Sequence, residues 1–549
     1  MIIDRHDSAV ARTHPSPILT ADFRGSALQR GRQHGERFGG RVRESGILEF
    51  YRDYASRTAR GSVVKLELIE VLQTYLATRF SDEAHELVKG FAEASKMHEA
   101  DVARALVLPD MVGYATCALS RWRRAPTLGC TTVAAWGEAT ANGRFLYGRN
   151  LDFVGNGLFD RAPLVSRHAP DRGYRYVSVG TAGAVVDGVT GINEPGLTVD
   201  LHQHLNTHVS RLPDGRPILD LARSVLQYAA TFDEALKLAL AWKPVGAWSL
   251  VLTHWRERRA CVIERTSKHT SVFRPEGDSL VYTNTYRDAL LGAHEVDLPA
   301  FRESSRLRAR RAEALLLEAR GRVNPGVLAS ILSDHVDYDR GLARGFAQTL
   351  AQPHNLTSVV IDPEEGALWV AEGTAPVCDS AFRRLPLWEE GEAGEVLRRP
   401  PDPLTPAQRQ GVHAYQGALR AWELLRDGDY AAAALETAVE KHPDDPAYRF
   451  MHGLLALAQG DAKRAADSFA AGEAMPDLLY RSEAQKLWRA RALDMLGKRA
   501  EAQALYRQVS AAAQHPSLRG AAARGVDARW KLGPDGVQPD FYHGDAALA

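Results

Sequence analysis

Cysteine is scarce in this chain. Cys117, Cys130, Cys261 and Cys378 are scattered through 549 residues, with no close pair of the kind that metal sites use. So sparse a set makes no disulfide framework, and a reducing, cytoplasmic compartment is the expectation. Excess charge of either sign is missing as well. The 68 Lys and Arg balance the 68 Asp and Glu, which leaves no basic field to hold nucleic acid or an anionic membrane. No apolar run reaches the roughly 18 residues that cross a bilayer. The start, MIIDRHDSAVARTHPSP, has no apolar core of a secretory signal, so neither a membrane span nor export is expected. There is no Walker-type phosphate loop, and no Gly-x-Ser-x-Gly elbow, which disfavours a serine α/β-hydrolase.

What remains has the composition of a globular protein, 45% hydrophobic and 25% charged, in a chain too long for one ordinary domain. Three regions follow from the pattern. Residues 1–129 read as helical, with apolar residues at helical spacing over 28–57 and 63–78. Residues 130–395 turn to short β-type runs, at 131–136, 145–153, 174–180, 183–192, 196–202, 247–254, 259–265, 270–274 and 279–285, with helical patterns at 217–242 and 299–320. Strands gathered around two helical blocks fit a layered α+β fold. Residues 396–406 hold the run RRPPDPLTP, whose proline density suits a stiff spacer, and 407–549 form an all-α region.

The most pointed feature is Gly129-Cys130-Thr131-Thr132 followed by Gly148-Arg149-Asn150-Leu151-Asp152-Phe153. Two apolar runs flank Asn142-Gly143, a strong hairpin signal. The hairpin brings Arg149 and Asp152 back beside Cys130. A cysteine next to Arg and Asp is a candidate nucleophile, because a nearby guanidinium favours the thiolate. The plain alternatives are a buried small hydrophobe for Cys130 and a hairpin ion pair for Arg149 and Asp152.

These motifs resemble the N-terminal-nucleophile (Ntn) hydrolases. The closest likeness is to the acyl-coenzyme A:6-aminopenicillanic acid acyltransferase family, with choloylglycine hydrolases and acid ceramidase-like amidases more distant. The resemblance covers roughly residues 25–390. It implies an αββα sandwich with a helical N-terminal pro-segment, and a chain that cuts itself at Gly129–Cys130. It also implies a thiol whose own new α-amine serves as base, with no separate cofactor or metal. Arg149 is then placed by the thiol, and Asp152 holds the amine. Gly191-Ile192-Asn193-Glu194-Pro195-Gly196-Leu197 is similar to the family's Gly-x-Asn-Glu-x-Gly-Leu turn. Ten residues after Asn193, Gln203 stands where the choloylglycine branch carries an oxyanion-binding Asn. Thr283-Asn284 resembles the strand-end pair that supplies an oxyanion amide, although an Asn there also suits a plain turn. Ser304-Ser305-Arg306-Leu307-Arg308 resembles the segment that carries an active-site arginine, which maps onto Arg306. The competing reading is a basic solvated helix face shared with Arg302, Arg308, Arg310 and Arg311. His354-Asn355-Leu356-Thr357 and Leu368-Trp369-Val370-Ala371 resemble the closing strand pair of that fold.

The all-α region carries a repeat. Gly428-Asp429-Tyr430, Gly460-Asp461-Ala462 and Gly497-Lys498-Arg499 recur at spacings of 32 and 37, each opening an Ala-rich helix. Ala465, Ala466 and Phe469, and then Ala500, Ala504 and Tyr506, are the expected packing positions. The period resembles tetratricopeptide repeats, which points to a protein partner; a generic helical bundle is the alternative.

The expected activity is an amidohydrolase or acyltransferase that works on a small-molecule amide or acyl-thioester through an acyl-Cys130 intermediate. Two other classes stay open: an inactive core serving as a repeat-bearing adaptor, and a zinc hydrolase built on His202, His204 and His208.

Overall fold

The computed structural model describes residues 17–58, 63–119, 129–346, 348–400, 403–533, 536–546 and 548. Its core strands, in chain order, are β1 Leu19–Gly25, β2 Gly129–Gly137, β3 Gly143–Asp152, β4 Pro163–Pro170, β5 Tyr176–Thr181, β6 Thr190–Asn193 and β7 Leu197–His204. They continue with β8 Ala247–His254, β9 Arg259–Thr266, β10 Thr270–Phe273, β11 Ser279–Tyr282, β12 Asn355–Asp362, β13 Ala367–Ala371 and β14 Phe382–Pro386. One sheet has eight strands in the order β1-β4-β5-β6-β7-β8-β9-β10, and the other has six, β11-β2-β3-β12-β13-β14.

Strand alternation orders the layers. On β7, Leu197, Val199 and Leu201 pack with Leu221 and Val225 of the helix Ile218–Tyr228 and with the N-terminal helices. Residues of the opposite face, such as Val251 and Val262, meet Ala134, Trp136 and Tyr147 of β2 and β3 between the two sheets. The outer face of the six-stranded sheet, with Val133, Ala135 and Leu146, packs on Ala312, Leu316, Leu328 and Leu332. Those four lie on the helices Pro299–Glu318 and Pro325–Leu332. Strands covered on both faces read as nearly continuous apolar runs. Each buried Val, Leu or Ile contributes roughly 1.5–3 kcal/mol.

The β2–β3 hairpin forms as expected. Gly143 takes φ 76° at the turn, a left-handed conformation that a side chain resists. The Asn142 side-chain oxygen accepts from Arg144 N at 3.2 Å. The register sets Gly129 opposite Asp152, Cys130 opposite Leu151 and Thr132 opposite Arg149.

Several expectations change. The segment before residue 129 is not purely helical: β1 joins the large sheet, parallel to β4. Neither β1, β4 nor β14 stands out by alternation, because each carries Pro, Arg or Asp among its apolar residues. Strand β6 is four residues long, and 183–189 is turn and loop, where Gly183 and Gly188 take positive φ. The pattern at 217–242 is two helices, Ile218–Tyr228 and Phe232–Ala241, the second opened by a Thr231–Glu234 capping box.

The C-terminal region runs through the helices Pro406–Arg420, Gly428–Lys441, Pro446–Ala458, Ala462–Glu473, Leu479–Met495, Arg499–Ala512 and Pro516–Asp527, each packed on the next. Ala465, Ala466 and Phe469 are buried as expected, but Ala502, not Ala500 or Ala504, packs with Tyr506 and Val509. The spacing 502, 506, 509 follows the helix, whereas 500 and 504 lie on its solvent side. Nor is 396–406 a spacer that holds two bodies apart. Arg399 donates to the carbonyl of Cys378 at 3.0 Å, and Tyr415 of the first C-terminal helix stacks on Phe346 of the core at 4.2 Å. No helix among the described residues is long and apolar enough to cross a membrane.

Candidate active site

Cys130 is the second residue of β2 and is fully buried. Both faces of its strand carry charge, and strand alternation separates the two sets.

The thiol face holds Arg149, Asp200, His202, Thr132 and Tyr147. Arg149 Nη2 stands 3.3 Å from Cys130 Sγ and donates to the Leu201 carbonyl at 2.6 Å. Its Nη1 pairs with Asp200 Oδ1 at 2.5 Å. Asp200 also accepts from Thr132 Oγ1 at 2.9 Å and from the Tyr147 hydroxyl. His202 Nε2 lies 2.9 Å from the same carboxylate. Burial alone would raise the Asp200 carboxyl, but Arg149 and His202 hold it below its usual range, so it is charged. Burial takes His202 down to about 4 against the pull of Asp200, so that ring is neutral. The sequence motifs name Arg149 here but not Asp200, Thr132, Tyr147 or His202 in this role.

The opposite face holds Asp152, Asn355, His354 and Arg308. Asp152 sits across from Gly129, and its Oδ1 accepts from Asn355 Nδ2 at 2.9 Å. A Cβ on Gly129 would lie 3.0 Å from Asp152 Oδ2 and 3.3 Å from His354 Nε2, so only glycine leaves those atoms undisturbed. Arg308 Nη1 donates to the Cys130 carbonyl at 2.7 Å and to Thr131 Oγ1 at 2.8 Å, and its Nη2 reaches Asn284 Oδ1 at 3.2 Å.

Arg306, by contrast, is solvent-exposed. Of the two arginines it is Arg308, not the expected Arg306, that reaches Cys130, and the reason is helical spacing. On Pro299–Glu318 the buried residues Phe301, Ser304, Ser305, Arg308 and Ala312 share one face, which residue 306 does not.

Asn284 comes to the site with its oxygen foremost. Its Oδ1 accepts from Cys130 N at 2.8 Å, and its Nδ2 donates to the Gln203 carbonyl at 3.0 Å. A buried backbone N–H needs an acceptor, and Asn284 supplies it. Gln203 is present by its backbone alone. Its side chain is turned toward the N-terminal helices and donates to the Pro109 carbonyl at 2.7 Å. The expected oxyanion role of the Gln203 amide is thereby lost. The reason is strand alternation: Gln203 shares the helix-facing side of β7 with Leu197, Val199 and Leu201, and His202 lies on the other side.

The three histidines do not converge. His202 is held by Asp200 and Thr132, while His204 Nε2 meets Ser249 Oγ at 2.9 Å and the Tyr282 hydroxyl at 3.2 Å. His208 stacks on His294. Among the described residues no group of three or more His, Cys, Asp or Glu has the geometry to hold a metal ion. The zinc reading is set aside on that geometry.

The thiol itself rests protonated in the continuous chain. Burial pushes Cys130 up to about 12, and the nearby Arg149 guanidinium only partly opposes this. The expected bias toward thiolate is therefore outweighed by desolvation. Burial also raises Asp152, with Arg308 and Asn355 pulling the other way.

The arrangement can thus hold one cysteine by its thiol, its amide N–H and its carbonyl at once. Comparison with known proteins bears on the same region. The family model described as acyl-coenzyme A:6-aminopenicillanic acid acyl-transferase matches residues 139–375, a span that starts past Cys130 and includes Arg149, Asp152, Asn284, Arg308 and His354. An uncharacterized protein of Archaeoglobus fulgidus is 25% identical over 255 residues, which cover 44% of this chain and 42% of that protein. The chain thus spans less than half the length of that relative.

Proposed function

Starting from a segment, residues 139–375, that belongs to the acyl-coenzyme A:6-aminopenicillanic acid acyl-transferase family, we propose a self-processing N-terminal-cysteine amidohydrolase or acyltransferase with the Ntn αββα sandwich. The observation that carries this reading is the triple grip on Cys130: Arg149 Nη2 at 3.3 Å from Sγ, Asn284 Oδ1 at 2.8 Å from N, and Arg308 Nη1 at 2.7 Å from O.

In the first stage Cys130 Sγ attacks the Gly129 carbonyl carbon. The C–N bond to Cys130 breaks as its nitrogen takes a proton, and water hydrolyses the thioester to leave a Gly129 carboxylate, a thiol and a free amine. In the second stage that amine, which ordinarily titrates near pH ~8, takes the thiol proton. The thiolate then attacks the carbonyl of an amide or thioester substrate. Arg149 steadies the sulfur, Asp152 balances the amine, and Asn284 Oδ1 holds its nitrogen; for the Asn284 amide to serve the oxyanion, its Nδ2 must turn to the site from the Gln203 carbonyl, a contribution of about 3 kcal/mol. Water or an amine then takes the acyl group from Cys130. An acyl-coenzyme A would enter as substrate, and no resident cofactor is required. The C-terminal helices, read as tetratricopeptide-like repeats, offer a surface to a protein partner.

The test is a trapped acyl-enzyme. The chain is mixed with acetyl-coenzyme A, quenched in acid and weighed. The reading expects an adduct that hydroxylamine removes and that the Cys130→Ala variant lacks. No adduct, and no turnover across a panel of amides and thioesters, would contradict it and favour the adaptor.

A further inference from the structure

If Cys130 attacks the Gly129 carbonyl, Gly129 is the first acyl group this site handles. The surroundings of its Cα are then those of the α-carbon of every later acyl group, because the nucleophile and the carbonyl position are the same. This step rests on the proposed function.

Those surroundings are polar and unspent. The point where a substituent would leave the Gly129 Cα lies 3.0 Å from Asp152 Oδ2, 3.0 Å from Asp152 Cβ and 3.3 Å from His354 Nε2. Asp152 Oδ2 and both ring nitrogens of His354 are buried, and none takes a hydrogen bond from a described residue. Burial, reinforced by His543 and Arg308, holds His354 far below its ordinary range, so the ring is neutral and carries one donor and one acceptor. The distances separate two kinds of substituent. For a methyl carbon they are tighter than van der Waals contact. For a hydroxyl oxygen, 3.0 Å to a carboxylate and 3.3 Å to an imidazole nitrogen fall at the length of a hydrogen bond and slightly beyond it, and only the 3.0 Å to Asp152 Cβ stays tight.

His354 is held in this place from outside the family segment. Its ring meets those of Tyr542 at 5.3 Å and His543 at 5.4 Å, and His543 meets Phe301 on the Arg308 helix at 5.1 Å. The repeat region pins that tail: the Tyr415 hydroxyl donates to the Phe541 carbonyl at 2.6 Å, and the Tyr480 hydroxyl to Asp545 at 3.1 Å.

We infer that the site selects acyl groups bearing a hydroxyl on the α-carbon, which donates to Asp152 Oδ2 and accepts from His354 Nε2–H, and disfavours a methyl in the same position. A carboxylate oxygen has lone pairs for both this hydroxyl and the Cys130 amine.

The experiment uses the full chain and three N-acetylcysteamine thioesters: acetyl, hydroxyacetyl and propanoyl. The last two differ by hydroxyl against methyl. Each kcat/KM is divided by the uncatalysed hydrolysis rate, which removes intrinsic reactivity. The expected hydroxyacetyl-to-propanoyl ratio is at least about tenfold, a lower bound well under the roughly 10⁴-fold by which a site built to hydrogen-bond a hydroxyl can reject the analogue that lacks it. His354→Leu should bring it close to one, and His354→Asn should restore part of it. A ratio near one in the unaltered chain, or a ratio that survives His354→Leu, overturns the inference while leaving the proposed function in place. Absence of both processing and thioester turnover overturns the two together.

Discussion

At the scale of single residues, the two arginines of one helix make opposite predictions. Arg308 touches the carbonyl of Cys130 and Asn284 Oδ1, whereas Arg306 is exposed. Arg308→Ala is expected to slow processing and turnover by roughly 5–150-fold, the equivalent of the about 1–3 kcal/mol lost when the buried Cys130 carbonyl is left without its donor. Arg306→Ala should leave both within about twofold, because an exposed side chain with no place in the core rarely matters to stability or chemistry. Rates of chain cleavage and of thioester hydrolysis in the two variants check this. The folded helix separates them, since the buried residues 301, 304, 305, 308 and 312 share one face, but Phe, Ser, Ser, Arg and Ala make no apolar stripe that the sequence alone would show. The motif resemblance drew the assignment to residue 306 instead. Asp200 was not legible either. It reaches Thr132, 68 positions away, only because β7 of one sheet lies across from β2 of the other.

At the scale of elements, the β2–β3 hairpin was readable because its information is local. Asn142-Gly143 sets the turn, and a period of two on each side sets the register. That register delivers Arg149 and Asp152 to Cys130, as the spacing implied. Gly129→Ala tests the far end of the same element. Its methyl would press on Asp152 and His354 at 3.0–3.3 Å. Crowding of this kind costs about 1–3 kcal/mol, so a slower cleavage rate and a lower urea midpoint are expected.

A second element-scale prediction concerns Asp110, in the first turn of Leu108–Leu119, whose Oδ2 accepts from Ile218 N at 3.0 Å where the helix Ile218–Tyr228 begins. Burial lifts this carboxyl from 3.8 to about 8. The folded chain therefore keeps a proton that the unfolded chain gives up. The associated stability is complete below about pH 3.8 and is lost as pH rises toward about 8. Relative to Asp110→Asn, the wild type should lose stability across that window, by at most on the order of 1.4 kcal/mol per pH unit. Urea melts of both proteins at about pH 5 and about pH 8, one within that window and one at its upper edge, measure it. Equal pH dependence in the two would contradict it.

At the scale of the whole molecule, the sequence separated a strand-rich middle from a helical tail but not their contact. Proline density around 396–406 reads as a spacer, yet rings from the two regions form one stack. Phe346 of the core packs on Tyr415, which in turn meets Tyr448 and Phe541. Contacts of that kind join residues far apart in sequence, so no local pattern announces them. Phe541 is fully buried. Phe541→Ala should cost about 3–5 kcal/mol and shift the melting of the core and the C-terminal helices together, as read by calorimetry. Two separate transitions, with only the later helices affected, would contradict a shared core.

Every step proposed at Cys130 starts from a cut between Gly129 and Cys130. The most direct measurement is the intact mass, under denaturing conditions, of the purified protein and of its Cys130→Ala variant. Two pieces are expected from the wild type, residues 1–129 and 130–549, and a single uncut chain from the variant. A wild type that stays whole, with Cys130 unreactive to an alkylating agent, would contradict it.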